Sequence, residues 1–201
     1  MSHDDPGRAA HHEPYTRLVM LARPGAGKTT QADRLAHRLR LTHLDTGALL
    51  RREVESSSPL GLTIASALEH GELAPDSAVM AVIGPGIDDA VSTGGYVLDG
   101  FPRHLAQAKA LDAFEPASSR PQAALLLEVR EEKCRRRLLA RASLEDRNDD
   151  TPPTIDRRLA TYELEMLPVL EYYDNRGMLV RIDGDRPSEL VTAQILDRLG
   201  H

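Results

Sequence analysis

The stretch LARPGAGKTTQ, residues Leu21–Gln31, decides the fold of this chain. It starts at the end of an apolar run, RLVMLA (Arg17–Ala22), and leads into a segment whose leucines and alanines have helical spacing. Gly25 and Gly27 precede Lys28 in the pattern G-x-G-K-T. Glycines let backbone N–H groups turn toward an anion, and the following helix points its positive end at the same place. The stretch therefore predicts a strand, a phosphate-binding loop and a helix.

The side chains of this loop suit a nucleoside triphosphate. Lys28 can reach the β- and γ-phosphates, and the hydroxyl of Thr29 or Thr30 can bind Mg²⁺. Ala22 replaces the first glycine of the usual motif. That position ends the strand, where a methyl group need not clash, so we expect the loop to tolerate it. A plain strand-to-helix turn with an exposed lysine is the weaker interpretation.

Apolar runs of strand length alternate with helix-like segments along the chain. The strand-like runs are RLVMLA (Arg17–Ala22), YVLDG (Tyr96–Gly100), AALLLEV (Ala123–Val129) and MLVRIDG (Met178–Gly184). The helix-like segments include Glu131–Ala142, Thr154–Gly177 and Pro187–Leu199. This order predicts an α/β fold of the P-loop NTPase type, with a parallel sheet flanked by helices. Gly84-Pro85-Gly86 predicts a break in the chain.

Composition narrows the function classes. A net charge of −6 with a pI near 5.7 gives no sign of a nucleic-acid partner. No apolar run reaches the length of a membrane span, and the first 16 residues lack a signal-peptide core. We therefore expect residues 1–16 to be a flexible tail and 17–201 to be one domain. The single Cys134 excludes an internal disulfide and a cysteine-rich structural zinc site, which favours the cytoplasm.

Further segments, in the right order from Arg17 onward, resemble the adenylate kinase family of nucleoside monophosphate kinases. These segments are RPGAGKTTQA, HLDTGALLR (His43–Arg51), LEHGELAPD (Leu68–Asp76), GYVLDGFPRHLAQA (Gly95–Ala108), RRRLLAR, DRNDDTPPTIDRRLATYE and PVLEYYDNRG. The block D-G-F-P-R-x-x-x-Q is the most specific of them. The chain resembles the short-lid type, because Arg141 to Arg158 leaves no room for a long hairpin lid.

The resemblance implies an enzyme that transfers a phosphoryl group reversibly from ATP to AMP, giving two ADP, with Mg²⁺ and no structural zinc. It implies a helical insertion for the monophosphate at about 46–91 and a short lid at about 142–153. It also implies a cytoplasmic monomer whose partners are ATP and AMP, with no membrane and no nucleic acid.

The resemblance assigns roles residue by residue. Catalytic roles fall on Lys28, Asp99, Arg103, Arg137, Arg141, Arg147 and Arg158. ATP would be bound by Pro24, Gly25, Ala26, Gly27, Lys28, Thr29, Thr30, Arg137 and Arg141. The monophosphate would be bound by Thr46, Gly47, Arg51, Gly71, Leu73, Gly100, Arg103, Gln107, Arg147 and Arg158. Asp99 would organise Mg²⁺ through water, beside Thr29 or Thr30. Arginine suits the task because its planar fork binds phosphate oxygens in pairs.

Base selection and the departures from the family leave alternatives open. Thr46 and Gln107 match the pair found where AMP is the acceptor, whereas relatives that prefer UMP and CMP carry Ala and Asn there. Ala48 replaces an acidic residue of the family, which would leave Asp99 alone near the metal's waters. Arg23 adds a positive charge at the rim of the loop. A kinase for another monophosphate, or a degenerate nucleotide-binding protein with a regulatory role, are the alternatives.

Overall fold

The computed structural model describes residues 14–69, 73–114, 116–145 and 151–201, and the side chains of 68, 69 and 141–145 are not described. The strands are β1 (Arg17–Ala22), β2 (Thr42–Asp45), β3 (Tyr96–Asp99), β4 (Ala123–Glu128) and β5 (Leu179–Asp183). The helices are α1 (Lys28–Leu39), α2 (Thr46–Glu55), α3 (Pro59–Glu69), α4 (Asp76–Ser92), α5 (Leu105–Asp112), α6 (Glu131–Glu145), α7 (Pro152–Asp174) and α8 (Ser188–Arg198).

The five strands form one parallel sheet in the order β2-β3-β1-β4-β5. The predicted α/β class with a parallel sheet is therefore confirmed. All five strands end at the same edge of the sheet. From β1 the chain crosses to β2 on one side, and from β3 it crosses back to β4 on the other side, so a crevice forms between the ends of β1 and β3. Open parallel sheets bind their ligands in such a crevice.

The sheet is buried on both faces, which explains why β1 reads as an unbroken apolar run. Val19 and Leu21 belong to one core cluster, whereas Leu18 and Met20 belong to the cluster on the opposite face. Alternate residues of a strand point to opposite faces, so each face of β1 must be apolar. The helices that follow each strand supply the rest of both cores.

Four of the strands lie where the apolar runs predict them, and β2 was missed. β2 is an edge strand, and its sequence THLD has only one fully buried residue, Leu44. It pairs with β3 along Thr42 to Asp45. An edge strand this short and polar lacks the apolar run that marks the other four, so tertiary pairing rather than local pattern creates it.

The predicted break at Gly84-Pro85-Gly86 is wrong, because α4 runs through it from Asp76 to Ser92. A proline inside a helix forfeits one backbone hydrogen bond, yet packing holds this helix together. A methyl group added at Gly84 would lie 3.4 Å from the ring of Phe114, and one at Gly86 would lie 3.4 Å from Leu44. The glycines thus let α4 approach the core closely, and the segment does not interrupt the helix.

The helices α2, α3 and α4 fill the chain between β2 and β3, over the span expected for the monophosphate insertion. The expected lid falls between α6 and α7, where residues 146–150 lie outside the described residues. Residues 1–13 of the expected tail also lie outside them, whereas the backbone N–H of Thr16 donates to Gln122 at 2.8 Å. No helix in the described ranges is long and apolar enough to cross a membrane.

Candidate active site

The phosphate-binding loop connects β1 to α1 and needs both of its glycines. Gly25 and Gly27 have φ values of 79° and 93°, in the left-handed region that favours glycine. A Cβ at Gly25 would lie 2.6 Å from the carbonyl oxygen of Cys134 on α6. Ala22, by contrast, is a buried residue of β1 paired with Leu127. The loop therefore accepts alanine at its start and has no space for a side chain at Gly25.

Lys28 opens α1 and meets a buried carboxylate at the end of β3. Its Nζ lies 2.6 Å from Oδ1 of Asp99, and the hydroxyl of Thr29 donates to Oδ2 at 2.6 Å. Burial would raise the pKa of Asp99, but the neighbouring His43 ring and the charge of Lys28 hold that pKa well below its usual range. Asp99 is therefore ionised. The structure brings these predicted residues together at the carboxyl edge of the sheet.

A second carboxylate that sequence reasoning missed stands beside Asp99. Asp45 ends β2 and is the ladder partner of Asp99 on β3, which puts the two Cα atoms about 5 Å apart. Its Oδ1 accepts the backbone N–H of Ala48 at 3.0 Å and so caps α2. An acidic residue at a strand end was the available signal, but β2 itself was not recognised. Asp45 therefore supplies a carboxylate next to Ala48, the position where the expected acidic residue is missing.

The donor side of the site is a cavity of about 260 Å³ next to the loop. Arg137 of α6 borders it and donates from Nη1 to the carbonyl of Ala26 at 3.0 Å. Thr30 is exposed and lines the same cavity. The described lining also includes Gln31, Leu127, Gly184, Arg186, Ser188 and Val191. These last residues were missed, because the loop after β5 comes into contact with α1 only in the folded chain.

The N-terminus of α8 is hydrogen-bonded to α1 through the buried side chain of Gln31. Its Nε2 donates to both the carbonyl and the hydroxyl of Ser188 at 2.9 Å. Its Oε1 accepts the hydroxyl of Thr192 at 2.8 Å. Since each polar atom of the side-chain amide has a partner, Gln31 holds one wall of the cavity at a fixed distance from the phosphate loop.

On the acceptor side of the site, several of the predicted arginines lie near the end of β3. Arg103 donates from Nε to the carbonyl of Gly100 at 3.0 Å. Burial by the surrounding protein and the charge of Arg158 lower the pKa of Arg103, and the carboxylates of Asp99 and Asp45 oppose that change. Part of the Arg103 side chain is still exposed to solvent. Arg158 on α7 therefore lies within electrostatic reach of Arg103. The guanidinium of Arg51 lies against Gly47, where an added Cβ would sit 3.2 Å from its Nη1.

The remaining predicted arginines lie toward the expected lid in the sequence. Arg147 lies outside the described residues, and so does the side chain of Arg141. Arg135 of α6 pairs with Asp156 of α7. Arg157 is exposed.

The two residues expected to read the base are both buried. Thr46 is 1% exposed, and its hydroxyl has no hydrogen-bond partner among the residues that the structure describes. Gln107 is 2% exposed and accepts the backbone N–H of Arg103 at 2.8 Å. An added Cβ at Gly100 would lie 3.6 Å from Cβ of Thr46. A buried hydroxyl without a partner normally has a role, and an incoming polar ligand would satisfy it. Leu73, which precedes α4 in the sequence, is half-buried. Gly71 lies outside the described residues.

The charge of Arg23 is neutralised within the fold. The side chain donates from Nε to Glu163 of α7 at 2.8 Å and lies 5.7 Å from the ring centre of Tyr162. Burial, opposed by Arg23, raises the pKa of Tyr162 to about 12. The extra charge at the rim thus links the loop to α7, and Glu163 compensates it.

Comparisons with known proteins show the family of this chain. The family model described as adenylate kinase matches residues 20–178. The adenylate kinase of Cyanothece sp. (strain PCC 7425) is 41% identical over 180 residues, which cover 89% of this chain and 92% of the relative. That of Thermus thermophilus is 41% identical over 184 residues, covering 91% and 96%. That of Xanthomonas campestris pv. campestris (strain 8004) is 38% identical over 185 residues, covering 92% and 97%.

Proposed function

Because this chain belongs to the adenylate kinase family, we propose that it transfers the γ-phosphoryl group of ATP reversibly to AMP, giving two molecules of ADP. The observation that carries the proposal is the meeting of Lys28, the buried carboxylate of Asp99 and the guanidinium of Arg103 at one sheet edge. Both substrates are anions, so the reaction depends on charge neutralisation and in-line positioning rather than on a general base.

The donor side would take ATP. The backbone N–H groups of residues 25–28 and the positive end of α1 cradle the phosphates, with Lys28 on the β- and γ-groups. Arg137, already bonded to Ala26, lies over the same loop. The cavity of about 260 Å³ bounded by Gln31, Gly184 and Ser188 is the place for the adenosine.

The acceptor side would take AMP. Arg51 and Arg103 bind its phosphate with their planar forks, and Thr46 and Gln107 meet its base. The helices α2 to α4, between β2 and β3, form the arm that carries Thr46 and Arg51. The segment at about 142–153 is the proposed short lid over the donor.

An oxygen of the AMP phosphate attacks the γ-phosphorus, and the bond from that phosphorus to the bridging oxygen of ATP breaks, so ADP leaves on each side. Lys28 and Arg158 stabilise the negative charge on the transferring group. From the family resemblance, Arg141 and Arg147 add two further positive charges from the lid region.

The oxygen atoms at this edge fit Mg²⁺, which prefers oxygen and keeps several of its waters. Asp99 and Asp45 would hold those waters, and the hydroxyl of Thr29, which donates to Asp99, would supply a direct ligand. When bound, the ion would neutralise phosphate charge.

The test is a coupled assay of ATP with AMP, CMP, UMP and GMP. We expect AMP to be preferred by about ten- to a hundredfold in kcat/KM, because losing a matched buried hydrogen bond costs on the order of 1–3 kcal/mol. A higher rate with CMP or UMP would make the protein a kinase for another monophosphate. ATP binding without turnover of any acceptor would support a regulatory role instead.

Monomeric state and cytoplasmic location complete the proposal. A net charge of −6 and a single buried cysteine support them. Sedimentation of the purified chain with and without ATP tests the oligomeric state.

A further inference from the structure

Gln107 sits between two partners of fixed polarity. Its Oε1 accepts the backbone N–H of Arg103 at 2.8 Å, and its Nε2 donates to Oδ1 of Asp76 at 2.9 Å. A backbone N–H can only donate, and an ionised carboxylate can only accept. The two neighbours therefore fix which end of the amide is oxygen and which is nitrogen.

Asp76 is itself held in place. It begins α4, and its Oδ1 also lies 2.9 Å from Nε2 of His104, the residue that precedes α5. Since the carboxylate only accepts, Nε2 of His104 carries a proton. Oδ1 thus receives two donors, and Asp76 joins the first turn of the arm helix α4 to the segment that carries Gln107.

A fixed amide can distinguish purine bases. After these bonds, one lone pair on Oε1 and one proton on Nε2 remain for a ligand. Adenine offers an amino donor beside a ring-nitrogen acceptor, which matches the oxygen and the nitrogen of the amide. Hypoxanthine and guanine, placed identically, offer an oxygen acceptor beside an N–H donor, and this order is reversed. An amide free to rotate by 180° would accept either pattern.

We propose that Asp76, held by His104, is a positioning residue that makes the acceptor site select adenine by fixing the orientation of the Gln107 amide. This inference rests on the proposed function, since it concerns the base of the acceptor. The hydrogen bond from Gln107 to the Asp76 carboxylate is charge-assisted, so it is the stronger of the two hydrogen bonds that fix the amide. Without it, only the backbone N–H of Arg103 opposes rotation.

The experiment measures kcat/KM for AMP and for inosine 5′-monophosphate, whose base has the reversed pattern, in wild type and three variants. Asp76→Ala removes the acceptor, and we expect the AMP-to-IMP ratio to fall roughly tenfold, mainly through KM for the monophosphate. KM for ATP should not change. Asp76→Asn keeps an oxygen facing Gln107 and His104, and it should restore most of the ratio.

The matched control is Asp88→Ala, which removes an exposed carboxylate from the same helix and should leave the ratio unchanged. Thermal unfolding checks that each variant is folded. If Asp76→Ala does not fold, His104→Ala is measured in its place and should lower the ratio in the same direction by a smaller factor.

The outcomes separate the two proposals. An unchanged ratio in folded Asp76→Ala, or in the substituted His104→Ala, overturns this inference and leaves the proposed function standing. A loss that Asp76→Asn shares in full also overturns it, because charge rather than amide orientation would then be responsible. A wild-type enzyme that prefers IMP to AMP overturns both.

Discussion

Lys28 makes the contact on which the donor site depends, since its ammonium group lies against the ionised Asp99 beneath the phosphate loop. We expect Lys28→Met to lower kcat by about a hundredfold or more, because a positive charge aimed at the transferring group is lost. Circular dichroism should show an intact fold. The control Lys109→Met removes an exposed lysine of α5 and should leave kcat near the wild-type value. Near-normal turnover in Lys28→Met would contradict the assignment of the loop.

Asp45 gives a prediction that was not available from the sequence. Asp45→Asn keeps the helix cap, because asparagine caps as well as aspartate, but it removes one of two adjacent carboxylates. We expect the variant to need several times more free Mg²⁺ for half-maximal rate, since carboxylates beyond the direct ligands position the ion's waters. Binding of Mn²⁺ with ADP, followed by water-proton relaxation, should weaken in parallel.

Ala48→Asp, made in the Asp45→Asn background, should restore part of that affinity by returning a carboxylate to the first turn of α2. Asp88→Asn, which removes an exposed carboxylate of α4, is the control and should behave as wild type. Equal Mn²⁺ affinity in Asp45→Asn and wild type would show that Asp45 does not reach the water shell.

Lys28 was predicted from the spacing of the phosphate-loop motif, and Asp99 and Gln107 were predicted from the family resemblance of the short segments that contain them. Neither signal could locate Asp45 or Gln31. Asp45 matters through its ladder pairing with β3, and Gln31 through its bonds to α8, more than 150 positions along the chain. Such contacts join distant parts of the sequence, so no local pattern records them.

At the scale of the elements, the phosphate loop packs closely against α6 at Gly25. We expect Gly25→Ala to lower the free energy of unfolding by about 2–5 kcal/mol, because the left-handed φ costs roughly 1–2 and the clash with Cys134 adds about 1–3. ATP affinity should fall as well. The control is Gly177→Ala, which has φ of 66° but nothing within 4 Å of the added atom, and it should cost only about 1–2 kcal/mol. Urea unfolding measures both, and equal costs would contradict the close fit.

The same scale shows what local patterns can predict. The runs that became β1, β3 and β4 are apolar because these central strands are covered by core packing, and they were identified, like β5, with nearly the right bounds. β2 was missed because its sequence THLD contains a single apolar residue, whereas the other edge strand, β5, contains Leu179, Val180 and Ile182. The helix α4 was wrongly divided because Gly84 and Pro85 are poor helix formers, and the packing of Gly84 against Phe114 exists only in the folded chain.

For the molecule as a whole, the buried carboxylate of Asp99 makes stability depend on pH. Its folded pKa lies below the ordinary value of about 3.9, so its contribution is fully present above that value and is lost as pH falls below it. We expect the stability difference between wild type and Asp99→Asn to favour wild type more at about pH 7 than at about pH 3.

The measurement is the urea midpoint of both proteins across that range. Asp88→Asn, which changes an exposed carboxylate of α4, should follow the wild-type curve. A wild-type advantage that stays constant with pH would mean that Asp99 does not become more acidic on folding.

The position of β1 has a consequence for how the chain acquires its structure. It is the first of the five strands to be synthesised, yet it occupies the middle of the sheet, with Arg17 paired to Tyr96 and Leu18 to Ala123. Pairings so far apart in the chain form slowly, because a long loop must close before they contribute. On the ribosome, the apolar run RLVMLA therefore lacks one neighbour until β3 has emerged and the other until β4 has emerged, and during that interval it exposes apolar surface that a chaperone can cover.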